Sequence, residues 1–262
     1  MDEKHRPPLA DEDAERPSEL PRGAALVRRT AAALARLSEL QERLYADAGQ
    51  ALLVVVQARD AGGKDGTIRT VFGACSPVGV HVANFGAPSA LELRHDFLWR
   101  VHAAVPPRRM IGVFNRSHYE AVLVERVRGL TPEAVWSRRY VQINDFEQLL
   151  AESGTTVLKF FLHVSREEQR RRFRKRLARV DEQWKFKAGD LDDRALWDEY
   201  TRAYDDALRR CSTAHAPWYV VPANHKPTRD LLVAEVVVAT LERMDPRYPT
   251  ADEATLKLGK SL

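Results

Sequence analysis

The chain has 262 residues, 44% hydrophobic and 30% charged, with 41 basic against 37 acidic residues and a net charge of +4. That length buries roughly three quarters of the unfolded surface without covalent staples, and two isolated cysteines, Cys75 and Cys211, argue against a disulfide framework or a structural zinc. The modest net charge, with no zinc-finger or RNP-like motif, argues against a nucleic-acid binder, and the lack of a long apolar run or signal-peptide core argues against a membrane partner, so a cytoplasmic protein is expected.

Residues 1–22 are polar and proline-bearing and are expected to be poorly ordered. From Ala24 to Gln50, Leu26, Ala33, Leu34, Leu37, Leu40 and Leu44 recur at three- and four-residue steps, which predicts an amphipathic helix. Ala51–Gln57 is a short continuous apolar run, the pattern of a strand buried on both faces. Glycines follow at 62, 63 and 66, and a helix is expected from Thr67. Further strands are expected at Val80–Phe85, Met110–Phe114, Thr156–His163 and Trp218–Val221, and helices at Leu91–Ala104, His118–Arg128, Arg166–Arg179, Asp192–Arg210 and Thr228–Met244. Strands alternating with helices predict a mostly parallel sheet covered on both faces. The tail after Pro246 is polar and expected to be loose.

The segment Gln57-Ala-Arg-Asp-Ala-Gly-Gly-Lys-Asp-Gly66 lies between a buried strand and a helix. Such a turn aims unpaired N–H groups at one point, glycines let the backbone approach an anion, and a lysine adds charge. It departs from the strict phosphate-loop pattern: Ala58 stands where Gly is wanted, and Asp65 where Ser or Thr would hold magnesium. Asp60 and Asp65 are then the available carboxylates. The plain alternative is a tight turn carrying surface charges. The third strand runs into Asn115, which occupies the place of the usual metal-holding carboxylate, and Arg116, which suits a bidentate grip on phosphate. Ser117 is a natural N-cap, and Glu120 is open to a site-facing or a solvated position.

Seven of the eleven residues 166–176 are basic. Alone this block reads as a solvated helix face; beside a phosphate loop it suits a lid that closes over phosphates. Helical spacing puts Arg172, Lys175, Arg176 and Arg179 on one face and Arg171 and Arg174 on another. Arg179–Asp190 has little periodicity and fits a mobile connection. His95, His102, His163, His215 and His225 lack metal-ligand spacing, and Trp184 and Trp218 are expected to pack rather than to stack on a base.

The segments QARDAGGKDGTIRTV, HDFLWRVHAAVP, IGVFNRSHYEAVLVERV, FFLHVSREEQRRRFRKRL, WKF and HAPWYVVPANHK resemble, in order, those of the polyphosphate kinase 2 family. The resemblance implies an α/β three-layer P-loop kinase fold like that of thymidylate kinase: a mostly parallel sheet flanked by helices, spanning 23–246, with a helical lid at about 166–192 and a loose tail at 247–262. It implies phosphate transfer between inorganic polyphosphate and AMP or ADP, with Mg2+, by a homo-oligomer, dimer or tetramer; adenine is the implied base, with guanine left open. Asp60, Lys64, Asn115 and Arg116 would be catalytic. Ala61, Gly62, Gly63, Lys64, Asp65, Gly66 and Thr67, with Arg171, Arg172 and Arg176 of the lid, would bind phosphate. Arg116 and Glu120 would bind the nucleotide, and Asp60 and Asn115 the metal. Ala58-Arg59 and Asn-Arg-Ser resemble the class III subgroup. Gly86 departs from the family's usual lysine and Pro227 from its usual aromatic residue. An ATP-dependent nucleoside or nucleotide kinase and a non-catalytic polyanion binder are the alternatives.

Overall fold

The chain was analysed as a computed structural model that describes residues 7–259. Its five strands are β1 (Ala51–Gln57), β2 (Val80–Asn84), β3 (Ile111–Asn115), β4 (Thr155–His163) and β5 (Trp218–Pro222). They form one sheet in the order β2-β3-β1-β4-β5, every pair parallel. β1 is central and wholly buried, as its unbroken apolar run demands. Its successive side chains serve opposite layers. Leu52, Val54 and Val56 pack with Leu37, Leu40 and Leu44 of α1 (Gly23–Asp47), with α2 (Lys64–Phe72), and with Val237 and Leu241 of α9 (Lys226–Met244). Leu53 and Val55 face the other core, built with Tyr140, Ile143 and Phe146 of α5 (Glu133–Glu152) and Ala203 and Tyr204 of α8 (Trp197–Cys211).

Three expected helices are interrupted. In 91–104 a 3-10 turn (Glu92–Arg94) and α3 (Trp99–His102) flank extended backbone at His95. The Asp96 carboxylate accepts from Leu98 N at 2.9 Å, a local bond that competes with the helix ladder. Residues 118–128 divide into a 3-10 turn (His118–Ala121) and α4 (Val124–Val127), and 192–210 divides at Leu196 into α7 (Gly189–Ala195) and α8. α2 starts at Lys64, one turn before the expected Thr67. α5 lay outside the expected helices, although Trp136, Tyr140, Ile143, Glu147 and Leu150 fall at helical steps. The basic block forms α6 (Arg166–Leu177), capped by Ser165 Oγ, which accepts from Glu168 N.

The N-terminal segment was expected to be poorly ordered over 1–22. Residues 1–6 lie outside the described residues, but from residue 7 on the chain packs against the domain. Leu9 and Ala14 are buried, Asn224 N donates to Ala14 O, and the Asp11 carboxylate accepts from Arg166 N at the start of α6. The tail includes a short helix, α10 (Glu253–Gly259). No helix among the described residues is long and apolar enough to cross a membrane.

The α1 layer seals β1 through leucines, and Leu44 is fully buried there. Leu44→Ala should lower the free energy of unfolding by about 2–5 kcal/mol, measured by urea titration.

Candidate active site

β1 delivers Gln57 to the carboxyl edge of the sheet, and the chain then turns through 58–63 into α2. Ala61 (φ 58°) and Gly63 (φ 105°) adopt the left-handed conformation. A Cβ on Gly62 would lie 2.5 Å from Ala58 Cβ, and one on Gly63 would lie 2.0 Å from Arg229 Nη1. The loop therefore needs glycine at both places. Two buried guanidiniums hold it from beneath. Arg172 Nη1 donates to Ala61 O (2.9 Å) and Gly62 O (3.1 Å), and its Nη2 donates to Ala223 O and Asn224 O. Arg229 Nη1 reaches Gly62 O at 3.5 Å while its other nitrogens donate to Asp230. With these carbonyls satisfied, the loop and the start of α2 can offer N–H groups outward to an anion.

Lys64 Nζ donates to Ala58 O at 3.0 Å, folded back along the loop. Burial and the nearby Arg116 charge lower its pKa, opposed by Asp60, Glu120 and Asp65. Asp65 Oδ1 accepts from Asn115 Nδ2 (2.7 Å), which also donates to Asn84 Oδ1 (2.9 Å). Asn115 pairs in register with Val56 and Asn84, so parallel pairing brings these side chains to one edge. Arg116 has φ 61°, and its N donates to Val56 O at 3.1 Å. Its guanidinium lies between Asp60 (3.4 Å) and Glu120 (3.6 Å). Burial disfavours its charge, yet Glu120 and Asp60 outweigh burial and leave its pKa raised. Glu120 Oε1 also accepts from Gln57 Nε2 at 2.8 Å, so Glu120 faces the site rather than solvent.

Beside this trio opens a cavity of about 290 Å³, lined by Asp60, Arg116 and Glu120 at one end and by Leu123, Trp197 and Tyr200 among others. Arg59, which also lines the cavity, lies 3.7 Å from the Trp197 ring centroid, and burial pushes its pKa down to about 10. Gln169 Nε2 donates to Asp60 O and its Oε1 accepts from Arg194, which ties α6 and α7 to the loop. Arg128 pairs with Asp193 at 2.8 Å, where Tyr200 also donates.

Several expected site residues sit differently. Arg172 is not a free lid cation; it is a buried brace, its Nε donating to Glu168. Arg171 is exposed and paired with the same carboxylate, and Arg176 lies 6.0 Å from the Phe173 ring centroid. The Thr67 hydroxyl donates to buried Asp230 (2.9 Å), and its N donates to Gly63 O. Trp184 does not pack: it is 75% exposed, whereas Trp218 is buried. The connection 178–188 is mostly exposed, whereas Gln169 and Arg172 fasten the first half of α6 to the loop. Arg229, Asp230, Gln169 and Gln57 were not singled out in the sequence; each acts through burial or a partner distant along the chain, which spacing does not reveal.

The oxygens of Asp60 and Asp65, with the Asn115 amide oxygen not engaged by Asp65 or Asn84, form a hard donor set suited to a divalent cation that keeps water and phosphate ligands. Among the described residues no three His, Cys, Asp or Glu side chains cluster to hold a metal unaided.

Comparison with known proteins gives the family and agrees with the fold. The family model described as polyphosphate kinase 2 matches residues 24–249. The chain is 53% identical over 223 residues to an AMP/ADP-polyphosphate phosphotransferase of Meiothermus ruber, covering 85% of this chain and 84% of that one. It is 45% identical over 234 residues to an ADP-polyphosphate phosphotransferase of Rhodopseudomonas palustris, covering 85% and 81%. The crystal structure of a polyphosphate kinase 2 from Arthrobacter aurescens TC1 superposes with a TM-score of 0.90 at 41% identity, covering 95% of this chain and 91% of that one.

Gly63→Ala should displace Arg229 and misalign the loop N–H groups. Affinity for tripolyphosphate, measured by calorimetry, is expected to fall about tenfold or more while the circular dichroism spectrum is retained.

Proposed function

Because this chain belongs to the polyphosphate kinase 2 family, we propose that it transfers the terminal phosphoryl group of inorganic polyphosphate to AMP and ADP, reversibly. The observation that carries this reading is the meeting, at Asp60, Arg116 and Glu120, of a phosphate loop and a cavity of about 290 Å³ whose walls mix apolar and aromatic side chains, such as Leu123, Trp197 and Tyr200, with charged ones. The loop suits the polyanion, and the cavity suits a nucleoside. An oxygen of the nucleotide's terminal phosphate attacks the terminal phosphorus of polyphosphate. The bridging P–O bond breaks, its electron pair stays on the shortened chain, and the nucleotide gains one phosphate.

The protein's part is positioning and charge cancellation. Lys64 and the loop N–H groups cancel donor charge. Arg116, held between two carboxylates, offers N–H groups where donor and acceptor meet. Asp60 and Asp65, with Asn115 beside them, would hold magnesium, which when bound neutralises phosphate oxygens. A cytoplasmic setting belongs to the same proposal and is supported by two free, buried cysteines. Homo-oligomerisation is supported by the edge position of β2 and by the exposed Val82 on it, Val78 before it and Leu91, Leu93 and Trp99 after it.

Purified protein supplied with polyphosphate, magnesium and AMP should form ADP and then ATP, scored by chromatography; no nucleotide product at any salt concentration would sink the proposal. Nucleosides supplied with ATP instead test an ordinary kinase. Asp60→Asn and Lys64→Ala should each reduce kcat about 100-fold or more with the protein still folded.

A further inference from the structure

Away from the cavity, Lys159 and Glu147 form an ion pair whose side chains are both 0% exposed. Lys159 lies in the middle of β4 and Glu147 on α5. Lys159 Nζ donates to the Glu147 carboxylate, to Tyr119 Oη (2.9 Å) and to Cys211 O (2.6 Å). Glu147 Oε1 accepts from Tyr119 Oη (3.0 Å) and lies 3.1 Å from His118 Nε2. Burial disfavours the Glu147 charge, but Lys159 and His118 outweigh it and hold its pKa below the ordinary value. Burial lowers the His118 pKa, opposed by the hydrogen bond and charge of Glu147.

Sinking two charges in a core is costly, and apolar side chains of the same volume often hold a core as well or better. What a hydrogen-bonded polar network adds is a single geometry, and here every member but His118 Nδ1 has its partner. The geometry held here is that of His118 and Tyr119. These two residues lie in sequence between Arg116 and Glu120, both of which line the cavity. Arg116 needs the restraint, since its φ of 61° is sparsely populated by residues other than glycine. On its N-terminal side its own N–H is tied to Val56 O. On its C-terminal side Ser117 Oγ accepts from Tyr119 N (3.1 Å), and the buried network fixes the Tyr119 ring.

We infer that Lys159, Glu147, His118 and Tyr119 are positioning residues for the acceptor side of the reaction, linking β4, α5 and the end of α8 to the aim of Arg116 and Glu120. This rests on the proposed phosphoryl transfer. The donor side is braced separately by Arg172 and Arg229, so the inference carries a split: damage to the network should reach the nucleotide and spare the polyphosphate.

Tyr119→Phe removes the shared hydroxyl and keeps the ring against Trp218 (centroids 4.7 Å apart). It should lower kcat about tenfold and raise the nucleotide KM several-fold, with the polyphosphate KM within about twofold of wild type. Glu147→Gln should act in the same direction and more strongly. If it does not fold, Tyr119→Phe decides. A lowered Tm with kcat and nucleotide KM unchanged in Tyr119→Phe overturns the inference, as does an equal rise in both KM values. An inactive wild type would instead defeat the functional proposal; AMP affinity by calorimetry, weakened in Tyr119→Phe or unchanged, then judges the network on its own.

Discussion

Everything at this site depends on where the carbonyls of Ala61 and Gly62 point. A loop that offers its N–H groups to an anion must turn C=O groups the other way, and buried C=O groups need donors. Arg172 and Arg229 supply those donors from beneath, one from α6 and one from the first turn of α9. The arrangement requires glycine at position 63, because a Cβ there would meet the Arg229 guanidinium. It also concentrates positive charge under the loop. Burial and the neighbouring Arg229 and Arg171 push the Arg172 pKa down, with Glu168 opposing; burial together with Arg172 and Arg229 does the same to Lys226. An incoming polyanion relieves that repulsion, so one set of contacts both shapes the loop and favours its ligand.

The parallel sheet converts this loop into a two-sided site. Register between β1 and β3 sets Asn115 beside Val56, and the chain then leaves β3 through the left-handed turn at Arg116. On the proposed reading, donor and acceptor sides come from adjacent strand ends, the usual position of sites in open α/β sheets. Asp60 and Glu120 share Arg116 between them, and Gln57, the last residue of β1, steadies Glu120. Gln169 adds a third link by holding the Asp60 carbonyl and Arg194 together, so α7 is coupled to the loop.

Much of this was legible in the sequence where one physical pattern dominates. The unbroken apolar run of β1 and the glycines after it locate the loop, and the strand ending at Asn115-Arg116 locates its neighbour. The interrupted helices were not legible, because one Asp96 bond to the backbone or a single deviant dihedral at Leu196 overrides a periodic pattern. Arg172 was placed by helical spacing on a shared basic face, but spacing does not say which face meets carbonyls. Lys159 was least legible of all: a lysine inside an apolar strand pattern carries no sign that a carboxylate 12 residues earlier in the chain will meet it, and that partner, Glu147, lies on α5, outside the expected helices.

Gly86 shows how the same physics bears on a departure from family pattern. A Cβ there would meet nothing within 4 Å, so packing does not require glycine. Positive charge is nonetheless present at this turn, since Arg100 Nη1 donates to Gly86 O at 3.0 Å and the guanidinium lies 5.4 Å from the Phe85 ring centroid. Glu92, 3.7 Å from Arg100, neutralises part of it. A flexible lysine would project its charge into solvent, whereas Arg100 holds a partly cancelled charge against the backbone. The turn therefore keeps a cation beside it, partly neutralised by Glu92, without a lysine at position 86.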